Sequence, residues 1–269
     1  MTDSVVDMLD EEWSSISTLA HSLADGEWAL PTDCPGWSVQ DQLSHLSAFE
    51  SQLLGREAPE HTAPEVAHTR NPIGVANEKA VDYRRSWAPS RVVEEFDEAT
   101  RGRVAALRAM TQDDLNAQSW TPTGPGTYRD LLAIRLFDAW THEQDIRRAT
   151  KRPGHLDGPV ARHCLERCAM AMGFVVGKKA GAPEGSTVVF DIGDPTPAVL
   201  SIGVEAGRAK RLDEAPAQPT VRLVLDFETF ALLGLGRIDP QRVLGTGQVS
   251  FVGDGDLGRK VVENMAFMI

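Results

Sequence analysis

The sequence predicts an α-helical N-terminal bundle followed by a small α+β domain. Apolar residues recur at spacings of three and four through the first two-thirds of its 269 residues, the mark of amphipathic helices. From about residue 186 the pattern changes to short runs rich in β-branched residues, the mark of strands. Between the two lies GKKAGAPEGS, a stretch with the composition of a connection. A chain of this length is comfortable as two domains. The expected spans are residues 1–180 and 186–269.

Each element has a local reason. Val5, Leu9, Trp13, Ile16, Leu19, Ala20 and Leu23 share one helical face, so a helix is expected over residues 4–25. WALPTDCPGW follows as a loop, with Pro35 and Gly36 shaping its turn and Trp37 expected to pack the bundle end. Ser38 and Asp41 resemble a capping box that opens a second helix, which runs to about Gly55. Residues 56–73 are polar and read as a long loop. Helical pattern resumes near Val75 and breaks at Pro89. A new apolar stripe then follows through Val92, Val93, Phe96, Val104, Leu107 and Met110. TPTGPGT, residues 121–127, reads as a turn-rich connection. Thr127 with Asp130 is a second capping-box pair, opening YRDLLAIRLFDAWTHEQDIRRAT. Four long helices so arranged suggest an antiparallel bundle, with a fifth helix at 159–178. In the second domain STVVFDIG, PAVLSIGV and TVRLVLD are strands, while FETFALLGLG and DLGRKVVENMAFM are helices. GDGDLG reads as a turn into that last helix, with Asp254 or Asp256 as its cap rather than as a phosphate loop.

Charge narrows the function classes. Lys and Arg number 27 against 39 Asp and Glu, a net charge of −12 that repels phosphate backbones and anionic lipid. Neither nucleic acid nor a membrane surface is an expected partner. No stretch approaches the ~20 apolar residues of a spanning helix. MTDSVVDMLDEEW lacks the basic and apolar regions of a signal peptide. Cys34, Cys164 and Cys168 form no CxxC, which suggests reduced thiols and a cytoplasmic location. Cys164 and Cys168 are expected in core packing, and Cys34 as a small buried side chain. Neither domain shows a leftover apolar stripe, so a monomer is expected, with a dimer left open.

One constellation could carry metal chemistry. Asp138 and His142 stand at i and i+4 on the same helix and therefore on one face. His45 lies inside the second helix, four residues after Asp41. Two imidazoles and a carboxylate from facing helices would hold zinc with an open position, and the same donors suit Fe(II), Ni(II) or Mn(II). Spacing alone equally allows a helical ion pair and a structural histidine. His61 and His68 fall in the polar loop and are expected to be solvated, and His155 falls in a turn. Asp145 could orient a ligand histidine or pair with Arg147 or Arg148, and the arginine pair is the expectation. No Ser/His/Asp or Cys/His nucleophile signature is present.

CPGWSVQDQLSHLSAFE, preceded by ALPTD, resembles the signature at the second helix of the mycothiol-dependent maleylpyruvate isomerase N-terminal family, among the DinB/YfiT-like metal-binding four-helix bundles. LFDAWTHEQDIRRAT is similar to that family's second signature. VRLVLDFETFALLGLGRIDP, with VSFVGDGDLGRKVVENMAFM, resembles the sterol-carrier-like domain that often follows. The resemblance implies a DinB-like bundle with a sterol-carrier-like C-terminal domain. It implies a divalent metal, zinc first, on His45, Asp138 and His142. Asp138 stands where the characterised isomerase type has Glu, one methylene longer. Arg237, in GLGR, matches the family's GR and would take a substrate carboxylate or cofactor anion. A helix C-terminal arginine complementing the dipole is the equal alternative.

The implied function is a mycothiol-dependent isomerase or S-transferase acting on a small electrophile. The metal lowers the pKa of the low-molecular-weight thiol. Hydrolysis by metal-activated water, or non-enzymatic binding of a metal and small ligand, remain as alternatives.

Overall fold

The computed structural model describes residues 4–268. Within them the chain divides after Gly154 into two compact units.

In the first unit, α1 (Ser4–His21), α2 (Val39–Leu53), α4 (Pro89–Arg108) and α6 (Tyr128–Ala149) form the helical core. α1 packs on α4 and α6, and α2 packs on the same two. α3 (Pro72–Arg84) covers α2, and the short α5 (Gln112–Asn116) precedes α6. Trp13, Ile16, Leu43, Leu46, Phe96, Leu107 and Trp140 are buried between them. Both capping boxes form. Ser38 N–H donates to Asp41 Oδ2 at 2.9 Å and Thr127 N–H donates to Asp130 Oδ2 at 2.8 Å. These caps set where α2 and α6 begin, and hence which residues face each other farther along.

Three expectations here need adjustment. The first helix stops at His21 rather than residue 25, and a single tight turn at Asp25–Glu27 follows. Residues 118–127 are a hairpin, with β1 (Gln118–Thr121) antiparallel to β2 (Gly124–Thr127), rather than a plain connection. Gly124 at φ 117° supplies its turn. α3 begins at Pro72, with Asn71 as its cap, a few residues before the apolar pattern shows it.

The second unit carries α7 (Gly158–Phe174), which ends in a wider turn where Ala180 N–H donates to Val175 O at 2.8 Å. It was expected to belong to the first domain. Cys164, Cys168 and Met172 are fully buried, and α7 packs on α8 and on strands of the second unit. By packing the compact units divide after Gly154, with α7 in the second. An amphipathic stripe shows that a helix has a core to cover and does not show which one.

The sheet runs β5-β4-β3-β6-β7, from β3 (Thr187–Gly193), β4 (Ala198–Glu205), β5 (Arg208–Arg211), β6 (Val221–Asp226) and β7 (Ser250–Gly253). β3 is antiparallel to β4, with Phe190 opposite Leu200, and parallel to β6, with Phe190 beside Leu223. Val188, Phe190, Ile192, Val221, Leu223 and Leu225 bury one face. Phe230 of α8 (Phe227–Leu235) meets Phe190 edge-on at 5.7 Å. α9 (Pro240–Thr246) and α10 (Gly255–Glu263) complete the unit. Asp254 caps α10 by accepting Leu257 N–H at 3.0 Å. The short β5, β7 and α9 have too few residues to show a period. Among the described residues, no helix is long and apolar enough to cross a membrane.

Candidate metal centre

α2 and α6 face each other, and that brings the three expected donors together. One ligand atom each from His45, Asp138 and His142 lies within 4.8 Å of the other two. His45 Nε2 stands 3.1 Å from Asp138 Oδ2, and His142 Nε2 stands 3.6 Å from Asp138 Oδ1. The imidazoles are buried, while the Asp138 side chain keeps 24% of its exposure, so the trio opens toward solvent on the carboxylate side. Two neutral imidazole nitrogens and one carboxylate are a donor set that suits a borderline divalent cation. The shorter Asp reaches both rings.

The surroundings shift the charge of each donor. Burial pushes the His45 pKa down against the attraction of Asp138, which favours the neutral, ligating form. Burial also works against charge on His142, but Asp138 and Asp145 outweigh it and hold its pKa above the usual histidine value. Burial alone would raise the Asp138 carboxyl. Arg135, His45 and His142 together hold it well below the carboxylate range. Arg135 does so directly, donating from Nη1 to Asp138 Oδ2 at 2.6 Å. Its guanidinium lies 3.9 Å from the Phe49 ring centroid and donates from Nε to Glu50 Oε1 at 3.0 Å. Arg103 Nε takes the other Glu50 oxygen at 2.9 Å.

Trp37 does more than pack a bundle end. Its ring centroid lies 5.2 Å from that of His45 and 5.7 Å from that of His142, and its Nε1 donates to Glu78 Oε2 at 2.8 Å. Glu78 also receives His68 Nε2 at 2.9 Å, and His61 pairs with Asp82 at 2.7 Å. The two loop histidines expected to be solvated are thus partnered and part-buried. Asp145 Oδ2 faces His142 Nδ1 at 3.6 Å. Arg147 donates to Glu143 at 2.9 Å and Arg148 to Asp33 at 2.7 Å. Cys34 is half-buried rather than buried, and lies beside His142 and Asp145. Arg237 belongs to the second unit. It follows Gly236, whose left-handed φ of 68° ends α8, and its N–H donates to Leu232 O at 2.8 Å.

Sequence reasoning missed Glu50, Arg103, Arg135 and the role of Gln42. The one signal it had was the spacing of Arg135 and Asp138 at i and i+3.

Residues 9–147, about half of the chain, match the family described as the mycothiol maleylpyruvate isomerase N-terminal domain. The chain belongs to this family. In this mycothiol maleylpyruvate isomerase family member the three donors all fall inside the matched span. Residues 178–265 match the SCP-2 sterol transfer family, in agreement with the sterol-carrier-like expectation. The crystal structure of a mycothiol-dependent maleylpyruvate isomerase shares the fold. It is 17% identical at a TM-score of 0.56, over 92% of this chain and 91% of that one. Uncharacterized proteins from two strains of Mycobacterium tuberculosis are 26% identical over 144 residues, 53% of this chain. The chain spans about half the length, 54%, of these curated relatives.

Proposed function

We propose that this chain is a mycothiol-dependent enzyme, an isomerase or S-transferase, that works through a divalent ion held by His45, Asp138 and His142. The observation that carries the reading is the convergence of the three donor atoms, within 4.8 Å of one another, inside the span that matches the family. Zinc is the first choice for that donor set, with Ni(II), Fe(II) or Mn(II) compatible. The bound ion supplies positive charge that stabilises the thiolate of the cosubstrate at neutral pH.

The chain's own residues do the rest. Burial keeps His45 neutral, and Arg135 keeps Asp138 ionised. The partly exposed side of Asp138 is where a thiol and a small electrophile would enter. For the isomerase, thiolate adds to a cis double bond conjugated with a carbonyl, the resulting single bond rotates, and elimination returns the thiol and the trans product. For the transferase the adduct is the product. In the second unit, Arg237 is the residue we assign to binding a small carboxylate, by bidentate pairing. The reading places the protein in a thiol-reducing cytosol, where its three cysteine thiols stay reduced.

Metal analysis of the purified protein, followed by calorimetric titration with mycothiol, tests the proposal. About one metal per chain, with thiol binding lost on chelation, supports it. Metal without thiol binding turns the reading toward hydrolysis or a structural ion. Absence of metal removes it.

A further inference from the structure

Resting on that reading of the site, we infer that Gln42 is a positioning residue that locks His142 in the tautomer carrying its proton on Nδ1. That leaves the Nε2 lone pair for the metal. The argument is one of hydrogen-bond direction. Thr32 has a single hydroxyl proton, and it goes to the Trp37 carbonyl oxygen at 2.8 Å. The Thr32 oxygen is then an acceptor, taking Cys34 N–H at 3.3 Å and Gln42 Nε2 at 2.6 Å. With its amide nitrogen committed to Thr32, Gln42 must turn its oxygen the other way, and Oε1 meets His142 Nδ1. A carboxylate oxygen of Asp145 stands 3.6 Å from the same nitrogen. A carboxylate oxygen thus stands at the same 3.6 Å from each nitrogen, Asp145 at Nδ1 and Asp138 at Nε2, and the Gln42 oxygen is what distinguishes them: in the neutral ring Nδ1 bears the hydrogen.

Gln42 is fully buried, and it sits three residues before His45 on α2, so the helix that supplies one ligand also orients the other. The relay starts at a backbone carbonyl of the loop before α2. That loop is fixed in turn by Thr32 N–H donating to Trp37 O at 3.1 Å. The tautomer also decides between the two candidate donor trios that include His142. Cys34, His142 and Asp145 likewise offer ligand atoms within 4.8 Å of one another. That second trio needs Nδ1, which the Gln42 oxygen occupies.

The test uses the full-length protein labelled with 15N-histidine and stripped of metal, at a pH high enough to hold the ring neutral. Long-range 1H–15N correlation, assigned with His142→Ala, reads the tautomer. The Nδ1–H form is expected, and zinc(II) alone should then perturb Nε2. Gln42→Leu should mix the tautomers and weaken zinc binding about ten- to hundredfold. Gln42→Glu, which keeps an acceptor at that place, should restore both. An Nε2–H ring in the wild-type protein overturns the inference. So does Gln42→Leu with unchanged tautomer and zinc affinity. The wild-type tautomer decides the matter even where Gln42→Leu fails to fold. An Nδ1–H ring in a protein that takes no zinc would sustain this inference while the proposed function falls.

Discussion

Glu50 receives Arg103 on one oxygen and Arg135 on the other, and all three side chains are buried. Removing the shared carboxylate takes a partner from two buried guanidinium groups and leaves Arg135 with Asp138. Glu50→Ala should cost about 3–5 kcal/mol, read as a lower urea midpoint; a loss within experimental error would show that the network is neutral. The ligands have a different signature. His45→Ala and His142→Ala should each abolish stoichiometric metal while the fold persists by circular dichroism. Full metal content in either variant would remove the central assignment. Arg237→Ala should leave metal content intact and weaken a dicarboxylate substrate in calorimetry. Unchanged affinity would return Arg237 to the end of α8. At this scale the Asp138–His142 pair was legible, because helical spacing alone puts two residues on one face. Glu50, Arg103 and Arg135 were not. Glu50 meets its partners 53 and 85 residues away in sequence, and no local pattern records such distances.

Among the elements, three helices meet at Glu95 of α4. It accepts Arg84 of α3 through Nε at 2.6 Å and Nη2 at 2.8 Å, and the Ser47 hydroxyl of α2 at 2.7 Å. Burial opposes its charge, but these donors win and hold its carboxyl below the usual 4.5. A depressed folded pKa contributes stability that is complete above 4.5 and is lost as pH falls through the lower folded value. The melting temperatures of wild type and Glu95→Gln should therefore differ most at neutral pH and converge on acidification. A gap that stays constant would assign the effect to packing. Long helices and both capping boxes could be read from sequence, since each rests on residues three or four apart. The β1–β2 hairpin could not, because QSWT and GPGT are too short to show a period and their pairing depends on α6 beginning at Tyr128.

For the whole molecule, the class and order of the parts were legible and the line between them was not, since α7 carries a stripe that either core could bury. The division has a thermodynamic consequence. All three donors lie before Gly154. Zinc at a hundredfold excess over its Kd should add about 2.7 kcal/mol of stability to the first unit. In hydrogen exchange that should slow α2 and α6 and leave the β3–β6 pairing unchanged. Equal slowing in the sheet would mean that the ion reports on both units. The sheet raises a separate matter, because an open sheet ends in strands with unused backbone groups. β5 is four residues, RAKR, and Arg208, Lys210 and Arg211 are exposed along it. A strand arriving from another molecule would have to strip water from Arg208 and Lys210 and displace the Arg211–Glu166 pair to reach the edge. The edge is a stop rather than a template, and a second copy of the sheet should not extend across β5.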